Sequence, residues 1–212
     1  MSPTSTATAT AHDVAAGHRP TVLLDRDGVL NKKATLARYV RNWEEFEWLP
    51  GALEALRLLA AADYRVIVVS NQAGIGRGIM KDEDVRRIHD RMQAEATAAG
   101  GRIDAVYYCP HGWDDGCACR KPKPGMLLQA RRDFDVDMTQ AVFIGDDERD
   151  GQAGAAAGCR WMQVMPSSSL LDITRGLLAS GATPSSGRAR RTPKSTSSRS
   201  GGVGPATKGS GP

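Results

Sequence analysis

Two aspartates one residue apart, in Asp25-Arg26-Asp27-Gly28-Val29, follow the apolar run Thr21-Val22-Leu23-Leu24. In extended chain, residues i and i+2 point to the same side, so both carboxylates can address one site. Gly28 permits the sharp turn that exposes them. Converging carboxylates repel unless a cation neutralises them or one keeps a proton, and hard oxygen ligands that leave room for phosphate oxygens suit Mg²⁺. A second acidic turn, Gly145-Asp146-Asp147 with Asp150 beyond it, follows Ala141-Val142-Phe143-Ile144 and supplies the further carboxylate such a cation needs. Between them lies Ser70-Asn71-Gln72-Ala73-Gly74, where a hydroxyl, a side-chain amide and backbone N–H groups of a glycine-rich turn form a cradle for an anion. Asp-Gly pairs also make ordinary turns. Three such segments, each placed after an apolar run, point past turn-making to phosphate chemistry.

A different chemistry resides in Cys109-Pro110-His111-(x)₅-Cys117-Ala118-Cys119. Three thiols and an imidazole within eleven residues are zinc-type ligands, and four protein ligands close a tetrahedral shell with no position left for water. The implied Zn²⁺ is structural, pinning a loop so that the adjoining Arg120 and Lys121 face the site. Disulfides are not expected in a chain without a secretory signal. Cys159 lies outside the set and reads as a buried thiol. A short zinc loop can also bind nucleic acid, but this one offers Trp113 between acidic neighbours and few basic residues, so a nucleic-acid partner is not expected.

These residues need elements to hold them. Short β-branched runs at 21–25, 65–70, 105–108, 141–144 and 161–164 read as strands. Helical patterns lie at 52–62 (Leu53, Leu56, Leu59 and Ala60 on one face), 81–99 (Asp82, Glu83 and Asp84 in the first turn), 124–133 and 150–157. Strands alternating with helices predict an α/β, Rossmann-like fold with a parallel sheet covered on both faces. Ligands in such sheets bind beyond the carboxyl ends of the strands, where Asp25, Ser70, Cys109 and Asp146 stand.

Of the 212 residues, 1–19 and 182–212 are poor in apolar side chains and are expected to be disordered, leaving one domain at 20–181. The tail carries six basic residues (Arg188, Arg190, Arg191, Lys194, Arg199, Lys208) and no acid, so the formal charge of +4 belongs to the tail and the domain is left near −2. No stretch is apolar enough for a membrane span and no signal peptide is read, so the expectation is a cytoplasmic monomer without a membrane partner.

The order Asp25-Arg26-Asp27-Gly28-Val29-Leu30-Asn31, Ser70-Asn71-Gln72, Arg120-Lys121-Pro122, Gly145-Asp146-(x)₃-Asp150 resembles the four motifs of haloacid dehalogenase (HAD)-type phosphatases, over about residues 22–164. Within that superfamily the chain is similar to the capless branch that holds histidinol-phosphate phosphatases and D-glycero-D-manno-heptose 1,7-bisphosphate 7-phosphatases. The resemblance implies Asp25 as nucleophile forming an aspartyl-phosphate and Asp27 as general acid, then base. It implies Mg²⁺ on Asp25, the Asp27 main-chain oxygen and Asp146, supported by Asp150, and phosphoryl oxygens held by Ser70, Asn71 and Lys121. The family places a lysine where this chain has Asp147, so either one phosphate contact is lost or substrate preference differs.

With no cap, the loops must select the substrate, a small phosphorylated metabolite. Arg77 in Gly74-Ile75-Gly76-Arg77-Gly78 and Arg120 are candidates for a second anionic group, and Trp43, Phe46 and Trp48 of the flap are further candidates. The Asn-Gln-Ala-Gly-Ile-Gly-Arg-Gly string and Lys123-Pro124-Gly125-Met126 resemble the heptose enzymes, whereas the short zinc loop resembles the histidinol enzymes. Arg77 can touch substrate and loop length need not, so the sugar bisphosphate is taken first and histidinol phosphate second. A zinc-containing binding module and a phosphotransferase with the same intermediate are the other classes the motifs leave open.

Overall fold

The computed structural model describes residues 19–35 and 39–180, so residues 1–18, 36–38 and 181–212, with the basic tail and nearly all the leading segment, lie outside the described residues. Five parallel strands, β1 (Thr21–Leu24), β2 (Arg65–Asn71), β3 (Ala105–Cys109), β4 (Val142–Gly145) and β5 (Arg160–Gln163), form one sheet in the order β3-β2-β1-β4-β5. Leu24 pairs with Val68 on one side and Ile144 on the other, so the three central strands finish close together. The α/β reading is borne out, and the acid-bearing ends of β1 and β4 are neighbours.

Alternation along the strands builds two cores. Val22, Leu24, Val66, Val68, Val142 and Ile144 face α1 (Ala52–Ala61), α2 (Asp82–Ala98) and α5 (Leu170–Ala179), whereas Leu23, Ile67, Val69 and Phe143 face α3 (Gly125–Phe134) and α4 (Glu148–Ala157). Burying each large aliphatic side chain contributes about 1.5–3 kcal/mol. Helix α1 buries Ala52, Ala55, Leu56 and Leu59; Leu53 and Ala60, read as core positions, are only half-buried.

Helix α5 is absent from the sequence reading. Its signals were present: Ser169 accepts from the Asp172 N–H while the Asp172 carboxylate accepts from the Ser169 N–H, and Leu170, Ile173 and Leu177 fall on one face against α1. Helix α4 starts two residues earlier than read because Asp147 caps it. Arg19, which the reading put in the leading segment, donates to Asp104 (3.0 Å) and to the carbonyls of Asp63 (2.9 Å) and Tyr64 (3.0 Å), fixing the entry into β1. No described helix is long and apolar enough to cross a membrane.

Candidate active site

The turn after β1 is tight because the Arg26 carbonyl accepts from the N–H groups of Val29, Leu30 and Asn31. Gly28 has φ +97°, and a Cβ there would overlap the Asp146 carboxylate, so only glycine lets the β1 and β4 turns meet. Carboxylate oxygens of Asp25, Asp146 and Asp150 come within 4.8 Å of one another. Asp146 Oδ2 pairs with Lys33 Nζ at 2.7 Å, while Asp146 Oδ1 is buried with no protein partner. A buried, unpaired carboxylate oxygen beside two further carboxylates is a donor set that fits a hard divalent cation. Burial, reinforced by Asp150 and Asp27 and opposed by Lys121, pushes the Asp25 carboxyl up to about 6.

Lys121 is the counter-charge. Only 3% exposed, its Nζ lies 2.8 Å from Asp25 Oδ1, 2.7 Å from Asp150 Oδ1 and 2.8 Å from the Val69 carbonyl. Burial opposes its charge, but the two carboxylates outweigh that and raise its pKa. Asn71 explains how the loop is fixed: its Oδ1 accepts from the Lys121 N–H and its Nδ2 donates to the Lys121 carbonyl, both at 3.0 Å. Asn71 thus positions Lys121 with its Oδ1 and one Nδ2 hydrogen, and its second Nδ2 hydrogen is left for the phosphate contact expected of it. Ser70 is buried and its hydroxyl accepts from Gln72 Nε2 at 2.8 Å.

The Asp27 carboxylate turns away from the acid cluster. Its oxygens accept from Arg26 Nη2 (2.9 and 3.0 Å), Asn31 Nδ2 (2.9 Å) and Gln72 Nε2 (2.9 Å). Burial works against ionisation, but these donors, Arg26 foremost, hold the carboxyl below its usual range. Arg26 is wholly buried and its Nη1 lies 3.1 Å from His89 Nε2. A guanidinium only donates, so His89 accepts there and carries its proton on Nδ1. Burial and Arg26 keep His89 far below its ordinary pKa. The sequence reading quoted Arg26, Asn31 and Gln72 without assigning them work, and missed His89 and Lys33; no local spacing connects His89 on α2 to the turn after β1.

The Cys/His set converges as expected. Sγ of Cys109 lies 3.6 Å from that of Cys117 and 3.3 Å from that of Cys119, and His111 Nδ1 lies 3.5 and 3.1 Å from Cys109 and Cys119. Tetrahedral zinc with bonds near 2.3 Å separates sulfurs by about 3.8 Å, so the four groups stand close to zinc spacing, and all four cysteines are free. Hydrogen bonds from Cys109, then Cys117 and His111, lower the Cys119 thiol to about 5.

Trp113, Cys117, Arg120, Lys121, Lys123 and Arg149 line a cleft of about 430 Å³ beside the acids. Lys121 is the residue shared by the cleft and the acid cluster. Arg77 lies outside the lining: its Nη1 donates to the Tyr39 hydroxyl (3.0 Å) and its guanidinium covers Trp113 at 5.0 Å, so it reaches the rim through that indole. The Arg77 loop is pressed onto the cysteine loop, where the Gly76 N–H donates to the Pro110 carbonyl at 2.7 Å. The flap aromatics do not line the cleft. Trp43 stacks on Phe46 (4.6 Å), Phe46 meets Trp48 edge-on (5.1 Å), and Trp48 Nε1 donates to Glu95 of α2. Their burial against the core outweighs any gain from facing an open site.

Residues 21–161 match the family model described as polynucleotide kinase 3 phosphatase. A D-glycero-beta-D-manno-heptose-1,7-bisphosphate 7-phosphatase from Bordetella bronchiseptica is 41% identical over 160 residues, spanning 76% of this chain and 88% of that protein. A D-glycero-alpha-D-manno-heptose-1,7-bisphosphate 7-phosphatase from Mycobacterium bovis is likewise 41% identical over 160 residues, spanning 73% and 84%. A crystal structure of the B. bronchiseptica D,D-heptose 1,7-bisphosphate phosphatase, complexed with magnesium and phosphate, superposes with a TM-score of 0.71 at 36% identity, covering 76% of this chain and 98% of that one. The chain belongs to the HAD-type phosphatases. In this HAD-type phosphatase the position expected to hold a lysine, Asp147, accepts from Arg149 Nε and Nη2, both at 2.8 Å. The Arg149 bonds lower the Asp147 carboxyl below its ordinary range.

Proposed function

We propose that this phosphatase removes the 7-phosphate of D-glycero-D-manno-heptose 1,7-bisphosphate through an aspartyl-phosphate on Asp25, using Mg²⁺. The observation that carries the reading is Asp25 set between Lys121 and the Asp146–Asp150 carboxylates, beside an open cationic cleft. The substrate comes from relatives of that name, which cover most of this chain. Histidinol phosphate, the second reading, is not favoured by these relatives.

Asp25, the Asp27 main-chain oxygen and Asp146 would hold the Mg²⁺, with Asp150 in support. When bound, the ion neutralises charge on the phosphoryl oxygens. Lys121 holds the Asp25 carboxylate in place and sets its positive charge beside the phosphoryl group. The carboxylate attacks phosphorus as the leaving alkoxide departs. Asp27, ionised in its nest of Arg26, Asn31 and Gln72 donors, takes up a proton from solvent water as the phosphate dianion approaches and disfavours its negative charge. It delivers that proton to the alkoxide and then removes one from the attacking water. Ser70 contributes its hydroxyl at the phosphoryl end. Cys109, His111, Cys117 and Cys119 would hold structural Zn²⁺ and thereby fix Arg120 and Lys121.

The test is Mg²⁺-dependent phosphate release from both anomers of the heptose bisphosphate and from histidinol phosphate, with Asp25→Asn as control. Preference for a heptose bisphosphate, lost in the variant, is expected. Preference for histidinol phosphate would overturn the substrate assignment.

A further inference from the structure

The cleft lining holds four cations, Arg120, Lys121, Lys123 and Arg149, and no carboxylate. They differ in what they have left to give. Lys121 is spent on Asp25, Asp150 and the Val69 carbonyl. Lys123 donates to the carbonyls of Gly116 and Cys117 and so braces the cysteine loop. Arg120 makes one long bond, 3.4 Å to the His111 carbonyl. Arg149 gives Nε and Nη2 to Asp147, which leaves Nη1 without a protein partner on a side chain that is 50% exposed. Lys123 keeps one ammonium N–H, whereas Arg120 and Arg149 keep more, so these two are the cleft cations with the most left to give.

Arg149 is also badly placed for helix stability. It lies in the first turn of α4, where the helix dipole disfavours a cation. The cap does not require its guanidinium, since Asp147 already accepts from the Arg149 backbone N–H at 3.0 Å. The two side-chain bonds instead fix in one geometry a flexible arm that lines the cleft. A guanidinium so held has lost its rotamer freedom before ligand arrives, which favours bidentate capture of a phosphate.

We propose that Arg149, held by Asp147, is a specificity-determining residue that takes the second phosphate of the substrate together with Arg120. This rests on the bisphosphate reading above and names the residue by which this chain would distinguish a bisphosphate from a monophosphate.

The experiment compares kcat/KM for the heptose 1,7-bisphosphate and for the same heptose 7-phosphate in wild type, Arg149→Met and Arg149→Lys, with melting temperatures alongside. Loss of charge-assisted bonds corresponds to roughly a ten- to hundredfold change. The expected result is that the bisphosphate-to-monophosphate ratio falls by that factor in Arg149→Met, mainly through KM, and is partly restored in Arg149→Lys. An unchanged ratio in a wild type that prefers the bisphosphate overturns the proposal alone. An equal loss on both substrates with a lowered melting temperature also overturns it, leaving Arg149 as a partner of the helix cap. A wild type without preference for the bisphosphate removes the substrate reading on which the proposal rests.

Discussion

Asp25 sits where folding alone would not put an ionised carboxylate, and this can be measured. Its carboxyl is pushed from 3.8 to about 6, first by burial and then by Asp150 and Asp27, with Lys121 compensating only in part. At about 1.4 kcal/mol per pH unit, that shift makes the ionised group unfavourable by on the order of 2–3 kcal/mol in the folded state. The sign is fixed by linkage. A carboxyl whose folded pKa lies above its unfolded value carries no penalty below about pH 4; the penalty grows as the unfolded chain ionises and is complete above about pH 6. Asp25→Asn mimics the protonated form, so at about pH 7.5 without Mg²⁺ it should be more stable than wild type by that amount. For a domain of this size the gain is about 4–12 °C in Tm. Urea unfolding at about pH 7.5 and pH 4 provides the assay, and the gap should vanish at the lower pH. Millimolar Mg²⁺ should narrow it at the higher pH, because the ion binds native wild type and loses a carboxylate ligand in the variant. An Asp25→Asn protein less stable than wild type at about pH 7.5, or a gap independent of pH, would show that the Lys121 ion pair outweighs burial and would refute the reasoning.

Cys117→Ser should lower both bound zinc, read by elemental analysis, and Tm, because a structural metal contributes folding free energy directly; full zinc occupancy with unchanged melting would dismiss the structural role. Asn71→Ala removes two bonds that fix Lys121, and at about 1 kcal/mol each should reduce kcat roughly tenfold or more while leaving zinc content intact; a change confined to KM would limit Asn71 to substrate binding. His89→Leu leaves the buried Arg26 Nη1 without an acceptor, a cost of about 1–3 kcal/mol. It should also shift the limb of the kcat–pH profile that reports Asp27, with His89→Gln restoring both; an unmoved profile would limit His89 to packing.

The sequence was most informative where function depends on a residue's place at a strand end. Asp25, Ser70, Cys109 and Asp146 stand at or just beyond the carboxyl ends of their strands because alternation and strand length fix those ends locally. What could not be read depends on contacts across the chain. Ser-Asn after a strand reads as an anion cradle, but the further positioning role of Asn71 rests on its two bonds to Lys121, fifty residues on. Arg26 and His89, 63 residues apart, meet because α2 and β1 bury side chains in the same core, which no period in either segment encodes. The flap aromatics misled for the opposite reason: residue type fits a sugar site, but the same apolar rings gain more from the core. Helix α5 was legible from its capping box and went unread.

The strand order also sets when this site can exist. Strand β1 is made first and lies at the centre of the sheet, yet only its β2 edge can pair early; its other edge waits for β4, near the end of the domain. During synthesis the chain therefore carries a half-paired apolar strand, the exposure inherent in sheets whose neighbours are distant in sequence. Until Val142–Gly145 docks, Asp25 has no Asp146 beside it and Lys121 has no Asp150. Assembly of the Asp25, Asp146 and Asp150 cluster and closure of the open strand edge are thus a single late event in folding.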